Sequence, residues 1–388
     1  MIPRAFITLS NKARLAGCAL VLVAAVAHAE PEAPLFHDSH FHLTNYIQEG
    51  VDIRDFLELM GDEVGRVALF GIPLQQTWSH GNTGDFAPTY YLHTDAPLYY
   101  YSFTDAFIAQ TYLSLDEAQR NRFDPMITGF NPADMYGVEH IRRVLQTFPG
   151  VFSGIGEFSI HKEFVSSKVA GETASLVDPA LDRIFEFTAE TGLVSILHCD
   201  IDVPFANQME EPIYLRQMAA LLRRHPESTI IWAHTGLGRV VTPKTSSASA
   251  SATTRSPNHL EYLKMALADE GLDHVYFDIS WDEVAKYIVA SEARIEAMAA
   301  MVNAYPTRFL FGTDAVAPRE RDSYMKVYRQ YAPLWDALSP EARALVTRGN
   351  YERLFDRARE QVRAWERDNV VDHAPARSAL STAGVAPE

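Results

Sequence analysis

Val194–Asp200 reads VSILHCD, and Thr229–Gly236 reads TIIWAHTG. Each is a short apolar run, rich in β-branched residues, with a histidine near its end. Between them, Glu211–Arg224 places apolar side chains at helical spacing. The order is strand, helix, strand, and runs that are apolar on both faces belong to parallel strands buried on both sides. Six further runs of this kind flank the pair: Leu35–Leu43, Arg66–Pro73, Pro125–Asn131, Val151–Phe158, His274–Ser280 and Phe309–Ala315. Helical stretches follow most of them, over Ile53–Met60, Asp134–Phe148, Pro179–Thr191, Asn258–Glu270, Asp282–Asn303 and Arg321–Leu338, with a final helical region over Ser339–Trp365. Such alternation means an α/β fold. Eight units suit a (β/α)8 TIM-like barrel, with a doubly wound open sheet as the alternative.

Two stretches interrupt the pattern. Gln75–Arg122 is an insertion after the second strand, rich in aromatics (Trp78, Tyr90, Tyr91, Tyr99, Tyr100, Tyr101, Phe103). In a barrel it lies over the carboxyl mouth, where it packs on itself or walls a pocket; packing is the expectation for most members. Thr242–Pro257 is polar and of low complexity, the composition of a mobile loop.

The chemistry-bearing residues gather at one end of these runs. His40 and His42 close the first strand, and two residues apart in a strand both imidazoles face one side. Glu157 ends the fourth run, His198 the fifth, His234 the sixth and Asp314 the eighth. Any one of these alone is a satisfied buried histidine or a solvated acid. All six at the carboxyl ends of five strands point to a site there, in the place where barrel enzymes carry theirs. Asp278 and Ser280 end the seventh strand, facing that pocket or capping the next helix. Arg239, five residues beyond His234, and Lys162, shortly after Glu157, are candidates to hold a substrate carboxylate or to form surface salt bridges. Cys199 neighbours His198 but points to the opposite side of the strand, a packing residue.

The ordered motifs HFH (40–42), GE (156–157), LH (197–198), AHTG (233–236) and GTD (312–314), with GNYERLF at 349–355, resemble the amidohydrolase superfamily, specifically its amidohydrolase-related group. The resemblance runs from about Leu35 to Arg363. It implies a metal-bearing barrel that hydrolyses or, in some relatives, decarboxylates, acting on a small-molecule substrate. Many two-metal relatives carry a carbamylated lysine where this chain has Glu157; in that position it is similar to the TatD-like nucleases, and a carboxylate can also bridge two cations. Two arrangements stay open. In one, His40, His42 and Asp314 hold one ion and His198 and His234 a second, with Glu157 between them. In the other, His40, His42, His198 and Asp314 hold a single ion, His234 shuttles protons and Glu157 stands behind. Imidazole and carboxylate without thiolate suit zinc first, then manganese or iron. Asp314 is the expected proton acceptor and His234 its catalytic partner.

Composition excludes other classes. The 388 residues are 47% apolar and 22% charged, a globular profile that is neither disordered nor collagen-like. There are 34 basic residues against 50 acidic, a net charge of −16. This balance opposes broad contact with a phosphate backbone, so no nucleic-acid partner is expected. Residues 1–29 read as a cleaved signal peptide: Arg4, Lys12 and Arg14 without an acid, about 15 apolar residues, then Ala27-His28-Ala29. Without them 31 basic residues face 50 acidic ones, a net of −19. The expected organisation is therefore a leader over 1–29, a single barrel domain over 30–366 and a flexible tail over 367–388. The protein is expected to be exported, periplasmic or secreted, without a stable membrane anchor, and a possible homo-oligomer. With Cys18 in the leader, Cys199 has no partner for an internal disulfide. GxSxG, HExxH, GxxxxGK[ST] and CxxC are all missing, which removes serine-hydrolase, zincin, P-loop and redox readings.

Overall fold

The computed structural model describes Met1 and residues 33–201, 212–239 and 259–370. The chain divides into Met1–Ala33 and Pro34–Glu388, and the fold described is that of the second unit. The expected leader, the polar loop at 242–257 and the stretch beyond Val370 lie outside the described residues.

All eight apolar runs form strands. They are β1 (Phe36–His42), β2 (Val64–Phe70), β5 (Phe123–Ile127), β6 (Gly154–His161), β7 (Val194–Cys199), β8 (Ile230–Trp232), β9 (Val275–Asp278) and an eighth segment split into β10 (Phe309–Leu310) and β11 (Ala315–Val316). A hairpin of β3 (Leu74–Gln76) and β4 (Leu98–Tyr100) stands apart. The main sheet has nine strands in the order β10-β9-β8-β7-β6-β5-β2-β1-β11, all parallel. Its two outer members belong to one segment of chain, with residues 311–314 between them. Ser39 N donates to Phe311 O (3.1 Å) and Asp314 N to His40 O (2.8 Å), so the sheet curls until the eighth segment meets the first strand.

Local chemistry explains the helices that cover it. Pro179–Thr191 starts on Asp178, whose side chain accepts from Ala180 N, has Pro179 in its first turn, and stops at Gly192 in the left-handed conformation. The stretch expected as one helix over Asp282–Asn303 is two, Asp282–Ile288 and Glu292–Ala304. Ser291 breaks it by capping the second, its hydroxyl accepting from Arg294 N. The last helix, Asn350–Asn369, runs three residues into the stretch expected as tail. Its Tyr351, Leu354, Phe355 and Ala358 pack against Ala68, Met126, Ile196, Ile231 and Leu310 of the strands, filling the inside of the sheet.

The insertion carries more structure than its sequence suggested. Besides β3 and β4 it holds an eleven-residue helix, Phe103–Leu113. Tyr91 and Leu98 bury against Tyr46 and Val165, which follow the carboxyl ends of β1 and β6, and Tyr90 and Tyr100 pack on that cluster. Packing does not extend to every aromatic: Trp78, Tyr99 and Phe103 are exposed.

Candidate metal centre

The register of β1 against β2 slips between Phe36 and Phe41, but His40 and His42, beyond the slip, share one face, and Asp38, His40 and His42 are all buried. Phe70 lies beneath both imidazoles, with ring centroids 5.1 Å from His40 and 4.6 Å from His42. His42 Nδ1 donates to the Gly71 carbonyl (3.2 Å), and His40 Nδ1 to Asp278 Oδ2 (2.9 Å). Both rings therefore turn Nε2 inward.

Glu157 reaches the same space through an irregularity. Ile155, Phe158 and Ile160 all pack in the outer core, between sheet and helices. The register slips between Ile155 and Phe158, which turns Glu157 inside. Gly156 permits this: its φ is 101°, and a Cβ there would stand 2.1 Å from the Ile196 carbonyl oxygen.

His234 and Asp314 are not in strands, although the apolar runs containing them were read that far. β8 ends at Trp232, and His234 follows in a tight turn at φ 56°; Asp314 sits between β10 and β11 at φ 52°. A left-handed non-glycine residue costs of order 1–3 kcal/mol and persists only where its surroundings hold it. Here His234 N donates to Asp278 Oδ1 (2.9 Å) and Asp314 N to His40 O. Buried Asp38 secures the same segment by accepting from Thr313 N (2.8 Å) and Tyr324 OH (3.0 Å); burial pushes its carboxyl up to about 6.

The donors converge. His42 Nε2 is 3.2 Å from Asp314 Oδ1 and 3.4 Å from Glu157 Oε2; His40 Nε2 is 3.5 and 3.8 Å from the same atoms. Ligands bound at about 2.0–2.2 Å around a tetrahedral ion stand roughly 3.3–3.6 Å apart. On the other side of Glu157, His198 Nδ1 lies 2.5 Å and His234 Nε2 3.5 Å from Oε1. His40, His42 and Glu157 thus form one potential ligand group, and Glu157, His198 and His234 another. The structure places His198 with His234 rather than with the pair on β1. The Nε2 atoms of His40 and His234 are buried with no hydrogen-bond partner among the described residues. Two lone nitrogens beside buried carboxylates fit a cation, because unpaired buried polar groups are costly.

The charges are arranged to the same end. Burial disfavours the Asp314 carboxylate, but His42, His234 and His40 outweigh it and hold the carboxyl below its ordinary range. Glu157 is likewise held well below its ordinary value against burial, by Lys162 and His198. Burial opposes the His40 imidazolium, and Asp278, Glu157 and Asp314 overcome it, pushing the ring well above its usual range. His234 goes the other way, lowered chiefly by burial.

Lys162 Nζ stands 3.2 Å from Glu157 Oε1. Arg239 sits further out, its Nε 3.2 Å from Glu163, its guanidinium 3.3 Å from Glu283 and 4.9 Å over the Trp281 ring, with Tyr90 OH at 3.0 Å. Cys199 is buried in the core, as its alternation with His198 requires. Two carboxylates were undervalued in the sequence. Asp200 Oδ1 is 2.9 Å from His198 Nε2, and Asp278 faces the pocket rather than capping the next helix, whose cap position is Trp281. The signal for Asp200 was available: alternation that turns Cys199 away puts Asp200 on the side of His198.

No curated protein matches the chain. Solved structures similar to it include 2,6-dihydroxybenzoate decarboxylase from Rhizobium (14% identity, 83% of this chain and 98% of that one, TM-score 0.45). A putative 2-pyrone-4,6-dicarboxylic acid hydrolase from Pseudomonas putida is 12% identical over 83% and 97% (TM-score 0.48). An amidohydrolase from Burkholderia multivorans with bound zinc is 15% identical over 83% and 99% (TM-score 0.47). The family model described as amidohydrolase matches residues 38–357, from the residue before the HxH strand's midpoint to the middle of the last helix. Most of the chain lies within that match, and the chain belongs to the amidohydrolase family.

Proposed function

We propose that this chain is an exported metal-dependent hydrolase that opens an amide, ester or lactone bond in a small molecule. The curled sheet is taken as a (β/α)8 barrel closing through Phe309–Val316, with the aromatic insertion at its carboxyl mouth. The observation that carries the proposal is the meeting of His40 and His42 Nε2 with Glu157 Oε2 and Asp314 Oδ1 at 3.2–3.8 Å. These residues would hold one divalent ion, and His198 and His234 on the far side of Glu157 a second. Zinc is the first choice for this ligand set, with manganese or iron next. A bound divalent ion supplies Lewis acidity and a water whose pKa falls toward about 7.

The chain's own groups supply the rest. Asp314, held ionised, accepts a proton from the attacking water and returns it to the leaving group. Its Oδ2 stands 4.0 Å from His234 Nε2. Lys162, whose ammonium Glu157 maintains against burial, places positive charge where the attacked oxygen gains negative charge. Phe70 closes the floor and keeps bulk water from the other side.

A decarboxylase is the second reading, favoured by the Lys162 ammonium beside Glu157, which suits a substrate carboxylate. One experiment separates the two. Purified protein is analysed for metal, reconstituted with zinc, manganese or iron, and assayed on amide, ester and lactone panels and on aromatic carboxylates with detection of carbon dioxide. Hydrolysis without carbon dioxide supports the proposal, and carbon dioxide release replaces it with the second reading. A protein that binds none of the three ions contradicts both. Mass spectrometry of the exported protein tests the leader: a mature chain beginning near Glu30 supports export, and an intact Met1 contradicts it.

A further inference from the structure

We propose that Asp278, acting through Ser280, fixes which nitrogen of His234 carries hydrogen, so that Nε2 presents its lone pair to the site. This rests on the metal-centre reading above and adds a positioning pair to it. Asp278 is fully buried and its two oxygens divide their work. Oδ2 accepts from His40 Nδ1 at 2.9 Å. Oδ1 accepts from His234 N (2.9 Å), from Ser280 N (3.1 Å) and from the Ser280 hydroxyl. A serine hydroxyl has one hydrogen. Ser280 gives it to Asp278, because an ionised carboxylate can only accept. Its oxygen then faces His234 Nδ1 at 2.9 Å as an acceptor.

His234 Nδ1 must therefore carry the hydrogen in the neutral ring, and Nε2 presents its lone pair. Nε2 is the nitrogen that points at Glu157 and has no hydrogen-bond partner among the described residues. One carboxylate thus sets both rings: His40 directly and His234 through one hydroxyl. In this form Nε2 is an acceptor, open to a cation or a proton, and Nδ1 is committed to Ser280. Orientation of a ligating imidazole by a partner on its other nitrogen is a general device in metal sites; here two imidazoles, one on β1 and one in the turn after β8, share one carboxylate.

The test reads the imidazoles in metal-free protein. Histidine labelled with nitrogen-15 is incorporated, and long-range proton–nitrogen correlations are recorded at pH 8. His234 should appear with hydrogen on Nδ1. Ser280→Ala should shift it toward hydrogen on Nε2 and leave His40 unchanged. Asp278→Asn should do the converse: its amide oxygen still accepts from Ser280, while its NH2 faces His40 and drives the His40 hydrogen to Nε2. Zinc affinity, read by chelator competition, should fall by roughly 10–100-fold in Ser280→Ala. Hydrogen on Nε2 of wild-type His234, or an unchanged His234 pattern in Ser280→Ala, overturns the proposal. If Ser280→Ala does not fold, the wild-type spectrum decides alone: hydrogen on Nε2 of His234 overturns the proposal. Wild type with the expected pattern but no affinity for zinc, manganese or iron would sink the metal reading and leave the hydrogen-bond assignment standing.

Discussion

Two buried carboxylate clusters sit at opposite ends of the same sheet, and they differ in how completely they are satisfied. At the amino-terminal end, Asp124 on β5 accepts from Arg66 Nε (3.1 Å) and Nη2 (2.9 Å), Arg359 Nε (2.5 Å) and Tyr351 OH (2.7 Å). Every donor there has a partner, and the cluster ties the last helix to the strands. At the carboxyl end, Glu157 and Asp314 face imidazoles of which two keep a buried nitrogen unpaired. Both clusters cost desolvation; the second alone leaves imidazole nitrogens unpaired among the described residues. Incomplete satisfaction at a common point marks the cluster that awaits something from outside, and full satisfaction marks the one that holds the fold.

The comparison can be broken by exchanging the expected effects. Replacing His40 and His42 together by alanine should remove bound metal and abolish activity, while circular dichroism and the unfolding midpoint stay near wild type. Collapse of the fold in that variant would mean that the carboxyl-end cluster is structural as well. Asp314→Asn keeps an oxygen but loses the proton acceptor. Turnover should fall by roughly 10²–10⁴ with metal content retained, read by kinetics beside elemental analysis.

Asp124→Asn should do the reverse. Stripping the charge from a buried pair costs about 3–5 kcal/mol, because Arg359 loses its counterion and Arg66 the buried one of its two. Denaturant unfolding should show that loss, and metal stoichiometry should not change. A variant as stable as wild type would refute the structural role given to the amino-terminal cluster.

A smaller effect sharpens the contrast. His259 is buried, with Nε2 3.0 Å from Thr235 Oγ1 and Nδ1 unpaired among the described residues, and burial lowers its pKa to about 4. A histidine depressed below its unfolded value of about 6.5 stabilises fully above that pH, and the contribution is lost as pH falls toward 4. Between pH 6.5 and 4.5 this amounts to about 2–3 kcal/mol. Unfolding of His259→Gln across that window should show a correspondingly shallower loss than wild type; parallel curves would contradict the assignment.

Much of the site was legible because strands impose a period of two and parallel sheets put their carboxyl ends together. HxH needed only that period. His198 and Asp314 needed only the ends of apolar runs. Glu157 stood on the right run, but the slip that turns it inward depends on a glycine whose Cβ would strike the neighbouring strand. No pattern along the chain displays that contact. Asp200 was within reach of the same alternation that correctly placed Cys199.

The rest belongs to contacts between distant segments. Periodicity along the chain reports burial and direction, so strand count, parallel pairing and the end that carries the chemistry follow from local physical chemistry. It carries no information about which donor meets which acceptor. That Asp278 joins His40 to Ser280 and His234, across 238 and 44 residues of chain, is a fact of curvature and register. So is the gathering of His40, His42, His198 and His234 around Glu157. Hydrogen bonds act over about 3 Å, and only a packed sheet brings such residues that close.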